Sequence, residues 1–350
     1  MLTRLISGDT PRSPVLAALL GAILVALMFA PFLFPGVRAL DTAATICIFI
    51  LLVASYDLLL GYTGIVSFAH TMFFGMGAYG VALASIHMGR SYEALITGTV
   101  LGAAAAALFA LVIALFSLRV RAIFFAMITL AVASAMAVLV SQLFQITGGE
   151  DGLTYRIPRE LTPAFRLGEI FDTRINGRIL NYYLVFFSCL MLFLLLLRVV
   201  NSPFGRVLQA IRENEFRAQA IGYKVVLYRT TATCLSAAMA ALAGSLYAIW
   251  LRYVGPDTTL SFEIMLDVLL MVVIGGMGTL YGAVLGSVIF VLAHNYLQNL
   301  MGAGAEMFQN IPILPDLINP DRWLLWLGVL FVLSVYFFPT GIVGRLRANR

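Results

Sequence analysis

The sequence predicts an all-α, polytopic membrane bundle of about ten spans, and three observations carry that prediction. Of the 350 residues 61% are hydrophobic and only 11% charged, with a mean hydropathy of +0.98, whereas an ordinary soluble domain carries about 25% charged residues. Apolar runs near the roughly 20 residues a bilayer demands recur from end to end of the chain. Arginines gather in short segments between those runs, as they do in loops that are not translocated.

Taken in order, the apolar runs fall at about 15–35, 43–60, 65–86, 94–117, 122–146, 180–200, 230–250, 279–298 and 323–339, with 262–277 as a shorter tenth. The first follows Arg4 and Arg12 in the manner of a signal peptide, but it ends in Pro31, Phe32 and Pro35 without a small-residue cleavage site. It reads as an uncleaved span. Four segments are basic: the N-terminus, the turn Arg119-Val120-Arg121, the loop from Arg198 to Arg229, and the tail with Arg345, Arg347 and Arg350. Ten spans put all four on one side, so both termini are expected in the cytoplasm. Loop 148–179, with five arginines balanced by five acids, falls on the outer side. Without a crossing at 262–277 the basic tail would be outside, so the charge pattern itself requires that short span. The whole of 1–350 is thus expected to be a single membrane domain with an outer loop at 148–179 and a cytoplasmic loop at 201–224.

Several function classes are excluded. Lys224 is the only lysine among 22 cations and stands between Tyr223 and Val225, which leaves no P-loop for ATP. Cys47, Cys189 and Cys234 lack C-x-x-C spacing, and His70, His87 and His294 are far apart, so no metal or cofactor motif is present. The net charge of +5 is too small and dispersed to suggest nucleic acid.

Glycine crowds two stretches, GYTGIVSFAHTMFFGMGAYG from Gly61 and GGMGTLYGAVLG from Gly275, each after an apolar run with one aspartate, Asp57 and Asp267. Paired glycine-interrupted segments point to a transport site built from broken helices; close helix packing is the other reading. The stripes Ser236-x3-Ala240-x3-Gly244-x3-Ala248 and Gly278-x3-Gly282-x3-Gly286 are assigned to packing.

Between the sixth and seventh spans, NSPFGRVLQAIRENEFRAQAIGYKVVLYR reads as one amphipathic helix of some five turns. Ser202-Pro203 starts it and Gly222 follows its end. Such a helix could lie on anionic membrane lipid, but Glu213 and Glu215 favour docking to a cytoplasmic partner.

The string RENEFRAQAIGYKV, followed by AALAGSLYA, resembles the coupling loop of bacterial ABC importer permeases of the branched-chain amino-acid (LivM-type) family. Similar strings are YDLLLGYTGIVSFAHTMFFGMGAYG, TGGEDGL at 147–153, VIGGMGTLYGAVLG at 273–286 and FPTGIVG at 338–344, in family order across residues 56–344. The general importer pattern E-A-A-x-x-x-G, anchored on Gly222, calls for Glu at 216 and Ala at 217, where this chain has Phe216 and Arg217; Ala218 and Gly222 agree, and Glu215 lies one residue early. The resemblance implies a permease of the bacterial inner membrane that works with a homologous second permease, two cytoplasmic ATPase subunits that bind the ATP, and an extracytoplasmic substrate-binding protein. It implies Arg212, Glu213, Glu215, Ala218 and Gly222 as ATPase-coupling residues.

Ionisable groups in hydrocarbon need partners or water. Asp57 is expected to reach interfacial water near the cytoplasmic end of its span. His70, between Ser67 and the glycines, either binds solute or satisfies freed backbone groups. Asp267 is expected close to the outer surface. Asp57, Ser67, His70, Gly75, Gly275 and Gly276 are the candidate pathway residues. Branched-chain or other neutral amino acids lead as cargo, with urea or short amides, carried by similar permeases, as the alternative. A stand-alone channel or secondary transporter would not need the 202–222 helix, and a lipid-modifying enzyme would need an acid–base or metal constellation at one depth, which the spans do not show.

Overall fold

The computed structural model describes residues 13–33, 36–117, 122–170, 173–307, 319, 322–337 and 341–348. Arg4, Arg12, Arg119, Arg121 and Arg350, which carry part of the orientation argument, lie outside the described residues, as do Phe338, Pro339 and Thr340 of the FPTGIVG string.

The helices in chain order are α1 (Pro14–Met28), α2 (Val37–Thr63), α3 (His70–Met88), α4 (Tyr92–Ser117), α5 (Ala122–Gln142), α6 (Gly177–Val200), α7 (Pro203–Glu213), α8 (Glu215–Ala220), α9 (Val225–Leu251), α10 (Phe262–Gly275), α11 (Leu280–Met307), α12 (Trp323–Phe337) and α13 (Gly341–Ala348). Single helical turns stand at Ala30–Leu33, Phe144–Thr147 and Pro256–Thr259. Among the described residues eight helices are long and apolar enough to cross a membrane, α10 being counted with the turn that precedes it. The apolar helices α1 and α12, of 15 residues each, bring the total near the ten spans expected.

The bundle has two distinguishable ends. One carries α7 and α8. The other carries two small antiparallel pairs, Leu153–Thr154 with Tyr253–Val254 and Arg166–Ile170 with Thr173–Asn176. At this β end Arg178 of α6 pairs with Asp41 of α2 at 2.5 Å and lies over the Trp250 ring. Tyr155 is buried there too, and burial pushes its phenol above the usual range. The two terminal helices both reach the α7 end, where Leu16 of α1 and Val343 of α13 pack with Leu285. The first and last helices therefore approach the same end as α7, the arrangement an even number of crossings requires.

The central helix is α9, which packs against α2, α3 and α4. Its small residues make this possible. A Cβ on Gly244 would run into the Phe74 carbonyl, and one on Gly77 of α3 into Ala241. Backbones in such contact compensate for the lack of a hydrophobic driving force between helices in lipid. Ser245 uses the proximity to donate to the Gly77 carbonyl at 3.1 Å.

Two elements differ from the sequence reading. The apolar run 65–86 is not one helix. α2 ends with Gly64 in the left-handed region (φ 72°) and Ile65 N–H bonded back to the Leu59 carbonyl, a helix stop, and α3 starts only at His70. The amphipathic helix expected over 202–222 is likewise broken. Asn214 is extended (φ −157°, ψ 100°) and its side chain accepts the Arg217 N–H at 2.9 Å, so an asparagine that competes with helical hydrogen bonds caps a second helix. Gly222, just past α8, has φ 99°.

Candidate functional site

At the α7 end the two glycine-rich stretches meet. Gly278 lies in the turn between α10 and α11 (φ 81°), and its N–H donates to Asp57 Oδ1 of α2 at 2.8 Å. The approach is possible because Gly61 has no side chain; a Cβ there would strike both the Asp57 carboxylate and the Gly278 nitrogen. Arg212, in the last turn of α7, donates through Nη1 to the Gly61 carbonyl, its stem packing against Gly64. An arginine at this point also suits the negative end of the α2 dipole. Asp57 is only 1% exposed, which corrects the expectation that it reaches interfacial water. It is met by a backbone donor and by the Arg212 cation seated on the adjoining Gly61 and Gly278. The surface helix α7 is thereby tied to α2 and to the α10–α11 turn at one point.

The same two stretches meet again deeper in the bundle. His70, the first residue of α3, places Nε2 2.8 Å from Ser55 Oγ. Ser55 lies eight residues before the end of α2, so α3 begins about 12 Å inside the α7 end. Ser55 Oγ is also 2.7 Å from the Leu52 carbonyl, and Ser236 of α9 donates to the Ser55 carbonyl at 2.6 Å. His70 is fully buried and serves this side-chain network. The helix α10 also starts inside the bundle: Leu260 packs on Gly75 of α3 and the Phe262 ring lies 6.1 Å from that of Phe68. From there α10 runs about 21 Å to the Gly276–Gly278 turn. Asp267 consequently lies on α10 between the depth of Phe262 and the α7 end, not near the outer surface as expected.

A trench of about 520 Å³ opens beside these two helix starts. One face of α5, through Leu130, Ser134, Ala137 and Ser141, forms a wall about 17 Å long. Glu150 and Asp257 stand towards the β end, and Phe68, Thr71, Ser261 and Phe262 form the floor at mid-depth. Backbone groups near the floor are unevenly served. Phe68 N–H is bonded to Thr129 Oγ1 and Ala69 N–H to Ser67 Oγ, while among the described residues nothing accepts from the N–H groups of His70, Thr71 and Met72.

Of the residues singled out in the sequence, Asp57 and Arg212 come together at the α7 end, while Ser67, His70 and Gly75 lie at or near the start of α3 without lining the trench. Gly275 and Gly276 belong to neither. Gly275 abuts the Gly282 carbonyl and Gly276 abuts Gly341, so both let α10, α11 and α13 touch. Glu213 is exposed, Glu215 pairs with Arg229 at 3.1 Å, Ala218 of α8 is buried with Ile211 and Val225, and Gly222 faces open space. Sequence reasoning missed Gly278 as the partner of Asp57, together with Thr71, Thr129 and Ser261. Ser261 was signalled by its place before an apolar run, where its hydroxyl now caps Ile264 N–H at 3.2 Å. The Asp57–Gly278 pairing spans 221 residues and had no local signal.

The family model for the permease component of branched-chain amino acid transport systems matches residues 38–335. The high-affinity branched-chain amino acid transport system permease protein LivM of Salmonella typhimurium is 27% identical over 336 residues, 91% of this chain and 76% of that protein. Its Escherichia coli counterpart is 27% identical over 335 residues, with the same coverage. A probable branched-chain amino acid transport permease protein LivM of Methanocaldococcus jannaschii is 28% identical over 255 residues, 71% of this chain and 67% of that one. No solved structure matches.

Proposed function

From the premise that the chain belongs to the branched-chain amino acid transport permease family, as a multi-pass protein of the bacterial inner membrane, we propose that it is one of two homologous permease subunits of an ATP-driven importer. Its cargo is a branched-chain or similar neutral amino acid, delivered by an outer binding protein. The α7–α8 pair faces the cytoplasm and takes the push of two ATPase subunits. The single observation that carries this reading is the tie between Arg212, Gly61, Asp57 and Gly278. A surface helix pair fixed at one point to two transmembrane segments is the rigid lever that nucleotide-driven closure needs to move those segments together. A stand-alone carrier has no use for it. The exposed side chains Glu213, Phe216 and Arg217 offer the contact surface to the ATPase.

The test is reconstitution of the chain with its homologous permease, both ATPase subunits and the binding protein in proteoliposomes. ATP-dependent leucine uptake that needs the binding protein is expected. Leucine flux through this chain without ATP or partners would overturn the assignment.

A further inference from the structure

The floor of the trench holds polar groups that the fold itself leaves unused. Thr71 is 2% exposed, lines the trench, and its hydroxyl has no hydrogen-bond partner among the described residues. It stands in the first turn of α3, where the N–H groups of His70, Thr71 and Met72 are also unmatched and where Ala69 gives no side-chain cap. Buried donors without acceptors cost free energy, and a helix N-terminus concentrates them where an anion gains most. The 14-residue α10 begins at the same floor, but Ser261 caps it and Glu263 stands in its first turn, so the free donors are those of α3. Among the described residues no cationic side chain lines the trench; its charges are the carboxylates Glu150 and Asp257, on the side towards the β end. Gln142 adds one neutral amide to the wall, whose remaining groups are small or apolar.

Resting on the importer reading, we propose that this floor is a transient station for the carboxylate of an α-amino acid in transit. The first-turn N–H groups of α3 and the Thr71 hydroxyl take the carboxylate, the ammonium group points back towards Asp257 and Glu150, and the apolar side chain lies along α5. The polarity of the trench, donors below and acids above, fits a zwitterion. It disfavours a simple anion, which the acids repel, and urea or a neutral amide, which leaves the donors without a charged acceptor. Phe68 and Phe262 close the floor beneath the station.

The assembled transporter in proteoliposomes gives the test, with leucine uptake and ATP hydrolysis measured together at saturating loaded binding protein. Thr71→Val removes the hydroxyl at constant shape, and Thr71→Ser keeps it. Loss of one hydrogen bond to a charged group predicts that leucine moved per ATP falls about tenfold in Thr71→Val and stays near wild type in Thr71→Ser. Wild-type transport per ATP in Thr71→Val would overturn the station. Absence of ATP-dependent uptake by the wild type would instead overturn the importer reading. Should Thr71→Val fail to assemble, Ser134→Cys on the wild-type background decides the matter by its modification with a membrane-impermeant thiol reagent, read against the parent chain. Millimolar leucine is expected to slow that labelling, and isopentylamine, which lacks the carboxylate, is not. Equal protection by both, or by neither, would contradict the proposal.

Discussion

The tie at the α7 end and the floor of the trench are built from the same two stretches of chain, yet they treat their polar groups in opposite ways. At the tie, Gly278 N–H has Asp57, the Gly61 carbonyl has Arg212, and the carboxylate has a cation beside it. At the floor, the Thr71 hydroxyl and three backbone N–H groups have no partner among the described residues. Asp57 and Thr71 are both almost fully buried, but only Thr71 faces an open trench. Matched groups such as Asp57 Oδ1 and Gly278 N–H hold elements together, although Asp57 Oδ2 has no hydrogen bond among the described residues; unmatched donors in a cavity are where a ligand gains most. Under the proposed function one region transmits and the other receives, and α10 runs directly from one to the other.

The sharpest way to break the comparison is at Gly61. Gly61→Ala places a methyl against the Gly278 nitrogen and the Asp57 carboxylate, and the Gly278 backbone cannot move aside cheaply. A destabilisation of about 3 kcal/mol, read by thermal unfolding in detergent, and loss of uptake are expected. Arg212→Ala comes next. It leaves Asp57 without its cation, and uptake is expected to fall at least about tenfold, through roughly 2 kcal/mol of lost coupling, with the protein still inserted. Asp57→Asn in that background should recover part of the loss, because a neutral amide oxygen still accepts from Gly278 and leaves no unpaired charge. A double variant no better than Arg212→Ala would show that the two residues act independently. Asn214→Ala removes the cap of α8 and should cost about 1 kcal/mol, visible as reduced ATPase affinity rather than reduced thermal stability of the bundle. The smallest effect is expected at Gly222→Ala. Open space surrounds this glycine, so only its positive φ opposes a side chain, at about 1 kcal/mol.

These two regions were unequally legible in the sequence. Composition and run length disclosed the spans, and the periodicity of 203–213 disclosed α7, because both are properties of neighbouring residues. Both glycine clusters were visible as clusters, but the break at 64–69 was not, since apolarity continues across it and only the left-handed Gly64 marks the stop. The continuous helix read over 202–222 failed for a similar reason: its apolar period survives the break at Asn214, and the asparagine's capping role shows only in its side-chain geometry. Asp57 looked isolated because its partners are a backbone amide and an arginine on another element, contacts that composition cannot register. Thr71 looked ordinary for the opposite reason, since what distinguishes it is a missing partner.

If the tie governs the trench, thiol labelling of Ser134→Cys in the assembled transporter reports it most directly. With the ATPase subunits trapped by vanadate, the labelling rate is expected to change about tenfold from its nucleotide-free value, and that change is expected to vanish when Arg212→Ala is added. An equal nucleotide-driven change with and without Arg212 would contradict the account.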